Sequence, residues 1–190
     1  MDRDSGRGLG PRLTLEQFII EMGREPVSSL SHERLTSFAR RLELSDELVD
    51  RRLRFAADGY TRNLVCRTAD FELLVLCWRP GQESTIHGHA GSLNDIRVHR
   101  GALTSRLFAP AAGAQAGTGP VTRTAEEVLA AGAHTGLDRD GIHQLANTTD
   151  EDLVTVHVYA PPLMELTVYS TETDRVQRRP LRYTLADDVA

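Results

Sequence analysis

The sequence predicts a mainly β protein: a closed or nearly closed antiparallel barrel carrying a helical segment on its N-terminal side. Two observations lead there. Up to about residue 58, apolar side chains recur at helical spacing behind good helix-capping residues. From Tyr60 onward the chain breaks into short runs rich in Val, Leu, Thr and Tyr, separated by clusters of Gly, Pro or Asp. That many short strands would expose many edges, and closure removes them. The 190 residues suit one domain, and 40% apolar residues are enough for a core.

The elements follow in order. Thr14 and Gln17 form a capping box ahead of Leu15, Phe18, Ile19 and Met22. A second helix is predicted over 31–42, with Leu35, Phe38 and Leu42 on its apolar side. A third is predicted from the N-cap Ser45 to Gly59, carrying Leu48, Val49 and Leu53. Strands are expected near 61–66, 71–79, 95–100, 103–108, 127–130, 142–147, 153–160, 164–171 and 181–185. The Ala/Gly stretch 109–119 reads as a loop between two of them. Residues 1–12 read as a flexible leader. Residues 13–190 are expected to form a single domain, with a helical segment at 13–58 and a β-barrel at 60–186.

Charge narrows the function. A net charge of −5 argues against nucleic acid or an anionic membrane as partner, because both require a concentrated positive field. Pairs such as Arg51-Arg52 and Arg178-Arg179 read as solvated faces. Cys66 and Cys77 lie in apolar, strand-like runs and are expected to be buried free thiols. The first dozen residues lack the apolar core of a signal peptide, and no run approaches a membrane span. A cytoplasmic monomer acting on a small molecule is the expectation.

The informative segment runs from Gly81 to His89. His87 and His89, two residues apart on a strand, share a face and can meet one cation inside a barrel. His143, in another strand-like segment, is the best third ligand. Gly81, His87, His89 and Gly101 have the spacing of the first cupin motif. Gly132, Asp138, Asp140, His143 and Asn147 keep the spacing of the second, with Asp in place of its usual Pro and second Gly. Cupins usually add a glutamate ligand shortly after the second His, but those places hold Leu93 and Asn94. Asp95, one step on, should face away. The expected set is therefore three neutral imidazoles with no carboxylate. Such a set leaves open positions and undiminished positive charge for an anionic ligand such as a thiolate, for a neighbouring amine and for O2. His32, His99 and His134 are expected to play no part.

At this point the chain resembles the cysteine dioxygenase family of thiol dioxygenases over roughly 15–185. The resemblance rests on Tyr60 to Val65, on Leu76, Cys77 and Trp78, on Ser84 to His89, on Gly141, Ile142 and His143, and on Val156 to Pro162. It implies a cupin-type β-barrel, or jelly roll, binding one Fe(2+) and converting a small thiol and O2 into a sulfinate. It also implies that Arg62 binds the substrate carboxylate, a task suited to a permanently charged guanidinium, with Tyr60 in support. Thr155, His157 and Tyr159 alternate on one face of a strand and match the family's Ser-His-Tyr relay. By that match Tyr159 faces the metal, His157 orients its hydroxyl and Thr155 orients His157. Trp78 reads as a core anchor near the pocket. Mammalian members carry a cysteine at the Asn94 position, cross-linked to the tyrosine; Asn94 leaves Tyr159 unmodified.

L-cysteine is the expected substrate. The alternatives are another small thiol such as 3-mercaptopropionate, whose dioxygenases tend to carry Gln at the Arg62 position, and a non-catalytic metal-binding cupin.

Overall fold

The computed structural model describes residues 10–114 and 117–185. Most of the expected leader and the last residue of the expected barrel lie outside them. Three short helices come first: α1 (Leu15–Met22), α2 (His32–Arg41) and α3 (Asp46–Arg51). Each begins where its cap predicts. Thr14 and Gln17 close a reciprocal capping box, and the Ser31 and Ser45 hydroxyls accept from the backbone N–H three residues on. The third helix stops at Arg51, well before Gly59. Beyond it the chain must reach the barrel: Arg54 O accepts from the Thr61 hydroxyl, and Ala56 O accepts from Gln82 Nε2.

Eleven strands follow: β1 (Thr61–Arg67), β2 (Glu72–Trp78), β3 (His87–Gly88), β4 (Leu93–Arg100), β5 (Ala102–Pro110), β6 (Val121–Ala130), β7 (His134–Leu137), β8 (Ile142–Ala146), β9 (Leu153–Ala160), β10 (Glu165–Val168) and β11 (Gln177–Pro180). They form a five-stranded sheet, β1-β2-β9-β4-β7, and a six-stranded sheet, β11-β10-β3-β8-β5-β6, with antiparallel pairing throughout both.

Alternation along the central strands divides the core in two. Leu73, Val75 and Cys77 of β2, with Val154, Val156 and Val158 of β9, pack against Phe18, Leu35, Phe38 and Val49 of the helices. Leu74, Leu76 and Trp78 point the other way, toward Ile96, Val98, Leu103 and Leu145 inside the barrel. The helical segment thus covers the outer face of the five-stranded sheet, which explains why β9 is buried along its whole length. Burying a side chain such as Phe18 contributes about 1.5–3 kcal/mol.

Three strand expectations change. The segment 181–185 is not a strand. It lies along β1 through a single parallel bridge between Asn63 and Leu185, supported by bonds from Thr184 N to Arg62 O and from Leu64 N to Leu185 O. The last strand is β11 instead, four exposed residues with no apolar alternation to betray them. The third is β7, which carries Gly136. A Cβ there would sit 2.2 Å from Asn94 O, so close approach of two backbones takes the place of strand propensity.

Candidate metal centre

His87 and His143 face each other directly across the β3–β8 pair. His89 follows the end of β3, where Ala90 (φ 49°) and Gly91 (φ 93°) turn the chain into β4. The neighbouring Gly88 has little room to be anything else, since a Cβ there would lie 3.1 Å from Gly141 O and 3.5 Å from the Tyr169 ring. His143 Nε2 lies 3.2 Å from Nε2 of both His87 and His89, and all three rings are buried. The three expected ligands are therefore brought to one point.

Their protonation suits a cation. His87 Nδ1–H donates to Thr85 O at 2.8 Å, which leaves Nε2 as a bare lone pair. Burial lowers the His87 pKa to about 4, against the Thr85 bond and with help from Arg62. Burial is also the main reason His89 and His143 lie well below the ordinary imidazole range. Three neutral imidazoles whose ligand atoms all lie within 4.8 Å of one another, with no acidic side chain in the group, fit a single divalent metal. Asp95 does face away: it is buried on the other side of β4, where His134 Nδ1–H donates to it at 2.9 Å. His32 donates to Asn94 O, and His99 lies 3.4 Å from Asp46. None of these three histidines touches the centre.

The facing sheet supplies a directional hydrogen-bond chain. Trp78 Nε1–H donates to Thr155 Oγ1 at 3.0 Å, Thr155 Oγ1 lies 2.8 Å from His157 Nε2, and His157 Nδ1 lies 3.0 Å from Tyr159 Oη. An indole can only donate, and Thr155 makes no other side-chain bond among the described residues, so its hydroxyl donates to His157 Nε2. His157 Nδ1–H then donates to Tyr159, whose own proton is not spent on the relay. Burial keeps His157 neutral and pushes the Tyr159 phenol well above its usual range, so this proton stays on. The Tyr159 ring is 5.2 Å from that of His89. Trp78 is thus more than a core anchor: it fixes the direction of the chain.

Arg62 is buried, with its guanidinium carbon 5.6 Å from the Tyr159 ring centroid. Tyr60 stacks on Trp78, with centroids 4.2 Å apart. Asn94 is the cross-strand partner of Tyr159; its Nδ2 donates to Val158 O, and its Oδ1 is buried without a partner among the described residues. Two neighbours escaped the sequence reading. Glu72, fully buried, pairs with Arg62 at 3.0 Å and accepts from the Tyr183 hydroxyl at 2.5 Å. The signal for Glu72 was a lone acid heading an apolar strand; for Tyr183 there was none.

The fold and site together define a metal-binding double-stranded β-helix barrel of the cupin type. Solved structures agree on the fold: TT1209 from Thermus thermophilus (TM-score 0.51, 19% identity, covering 63% of this chain and 98% of that one) and a Klebsiella pneumoniae protein with a double-stranded β-helix domain (TM-score 0.52, 23% identity, covering 67% and 91%). The family described as Cysteine dioxygenase type I matches residues 43–172, and the chain belongs to that family. It is similar to the human protein named cysteine dioxygenase type 1 (33% identity over 106 residues, 54% of this chain and 52% of that one). It is also similar to the zebrafish, Danio rerio, protein of the same name (32% over 118 residues, 60% and 57%). The chain thus spans about half the length of the curated relatives it matches.

Proposed function

We propose that this protein is a thiol dioxygenase that adds both atoms of O2 to a small thiol, with L-cysteine giving cysteine sulfinate. The carrying observation is that three buried imidazoles gathered at one point could hold a metal and that the Tyr159 ring lies 5.2 Å from that of His89, in a chain of this family. The names of the curated relatives support L-cysteine. The reaction, R–SH plus O2 giving R–SO2H, balances without an outside reductant.

His87, His89 and His143 would hold one Fe(2+) through their Nε2 atoms. The ferrous ion, when bound, acidifies the thiol and brings it together with O2. The protein supplies the rest. Tyr159, oriented by His157 and Thr155, holds a proton at Oη toward the reacting sulfur and oxygen atoms. Arg62 reaches the carboxylate end of the substrate through N–H groups not already engaged, with Tyr60 beside it on the Trp78 stack. Leu74, Leu76 and Ile96 pack in the same buried cluster as Tyr159 and keep water from its ring. We read this machinery as one domain, a helical segment at 13–58 and a barrel at 60–186.

Oxygen uptake by iron-loaded protein with L-cysteine, cysteamine and 3-mercaptopropionate side by side tests the proposal. Thiol-dependent uptake with L-cysteine is expected. No uptake with any of the three contradicts the enzyme reading, and uptake with 3-mercaptopropionate alone removes the amino-acid role of Arg62.

A further inference from the structure

The three imidazoles are not held alike. His87 and His143 sit opposite each other in a strand pair, and the His87 ring is fixed by its bond to Thr85 O. His89 has neither support. It lies past the end of β3, and its Nδ1 is buried with no partner among the described residues. A histidine ligand usually owes its orientation to a bond at the second ring nitrogen. For His89 the backbone must set it instead.

That backbone is a tight turn. Ser92 N donates to His89 O at 3.0 Å, and both central residues have positive φ, 49° at Ala90 and 93° at Gly91. This is the type I′ pattern, which favours Asn or Gly first and Gly second. Alanine in the first place is strained, so the turn depends on an outside hold.

Arg139 supplies that hold. From the β7–β8 connection its Nη1 donates to Gly91 O at 2.8 Å, while its Nη2 donates to Val27 O at 2.8 Å and to Leu30 O at 3.3 Å. All three acceptors are backbone carbonyls, so a rigid, planar, permanently charged fork bridges two stretches of main chain. The far side is firm. Leu30 is buried in the helical core, and His32, two residues on, donates to Asn94 O of β4.

We propose that Arg139 is a positioning residue for the metal centre: it straps the His89 turn to the α1–α2 connection, and so holds the one ligand that neither a strand pair nor a ring hydrogen bond fixes. This rests on the triad reading above, and its test reads metal affinity rather than turnover.

Fe(2+) affinity is measured under nitrogen by competition with a chromophoric chelator. Arg139→Met should bind Fe(2+) about tenfold or more weakly than the natural protein. Arg41→Met is the control for a loosened helical segment, because Arg41 bonds Pro11 O and Glu21 and has no partner in the turn. It should shift the affinity by less than about threefold. Adding Ala90→Asn to Arg139→Met supplies the favoured turn residue and should return the affinity to within about threefold of natural. Should Arg139→Met fail to fold, Arg139→Lys keeps the charge but not the fork, and should itself weaken binding about fivefold or more. The role of Arg139 is overturned by natural affinity in a folded Arg139→Met or in Arg139→Lys, by an equal loss in Arg41→Met, or by no recovery with Ala90→Asn. Natural protein that takes up no Fe(2+) refutes the triad itself, and this inference falls with it.

Discussion

The two sheets of the barrel are built on opposite principles. The six-stranded sheet brings His87 and His143 together and leads into His89, and it sets His143 Nε2 3.2 Å from Nε2 of each of the other two with no carboxylate in the group. The five-stranded sheet carries Trp78, Thr155, His157, Tyr159, Arg62 and Glu72, and it satisfies nearly every polar atom among them. Burying three imidazoles with no acidic partner is costly, and a bound cation would offset that cost. Buried polar groups with partners hold still, and the second arrangement can therefore aim one proton and one guanidinium. One sheet gathers imidazoles that could hold a cation; the other fixes the groups that we propose address the substrate.

The largest expected effect attacks the first sheet. His143→Ala removes the nitrogen shared by both short contacts, and its iron content after reconstitution, measured by elemental analysis, should fall to background. Iron at the natural level in that variant would refute the triad. Tyr159→Phe strikes the second sheet while leaving the first intact. It should retain iron and lose roughly a hundredfold in kcat, with KM little changed. An unaltered kcat would take the hydroxyl out of the reaction.

How far these two regions could be read from sequence differs for the same structural reason. Ligand spacing is local, so His87 and His89 are legible as a pair. His143 is legible because its own motif keeps its intervals. The relay is local too, since Thr155, His157 and Tyr159 alternate along one strand. The helices are legible from Thr14, Ser31 and Ser45, whose caps act within one turn. What sequence conceals is partnership across strands. Nothing in the neighbourhood of Glu72 says that it will meet Arg62 of β1 and Tyr183 of the returning C-terminal segment. Nothing near Trp78 says that its N–H will end on Thr155. The strand at 134–137 is hidden because Gly136 is chosen for close backbone approach, and β11 because all four of its residues are exposed.

The third prediction sharpens the contrast through pH. Burial lowers the folded His87 pKa to about 4, whereas the unfolded chain titrates near 6.5. Below pH 6.5 the unfolded state takes a proton that the folded state declines, so metal-free protein should lose stability as pH falls toward 4. His87 alone accounts for about 3 kcal/mol across that window. His89, His143 and His157 push in the same direction. Urea midpoints at pH 7 and pH 5 measure this, and equal midpoints would mean that the imidazoles are not buried as described.

The smallest effect is expected at the far end of the relay. Thr155→Val keeps the shape but strands Trp78 Nε1–H and His157 Nε2, costing about 1–3 kcal/mol of stability and roughly tenfold in kcat, while Thr155→Ser should restore both. Failure of the serine variant to restore kcat would show that the threonine methyl, not its hydroxyl, matters.

The central claim, that both oxygen atoms of one O2 end on the substrate sulfur, is tested most directly by isotope. Iron-loaded protein is given L-cysteine under ¹⁸O₂, and the product is weighed by mass spectrometry. The account predicts a sulfinate carrying two ¹⁸O atoms. A disulfide, or a product with one label or none, would contradict it.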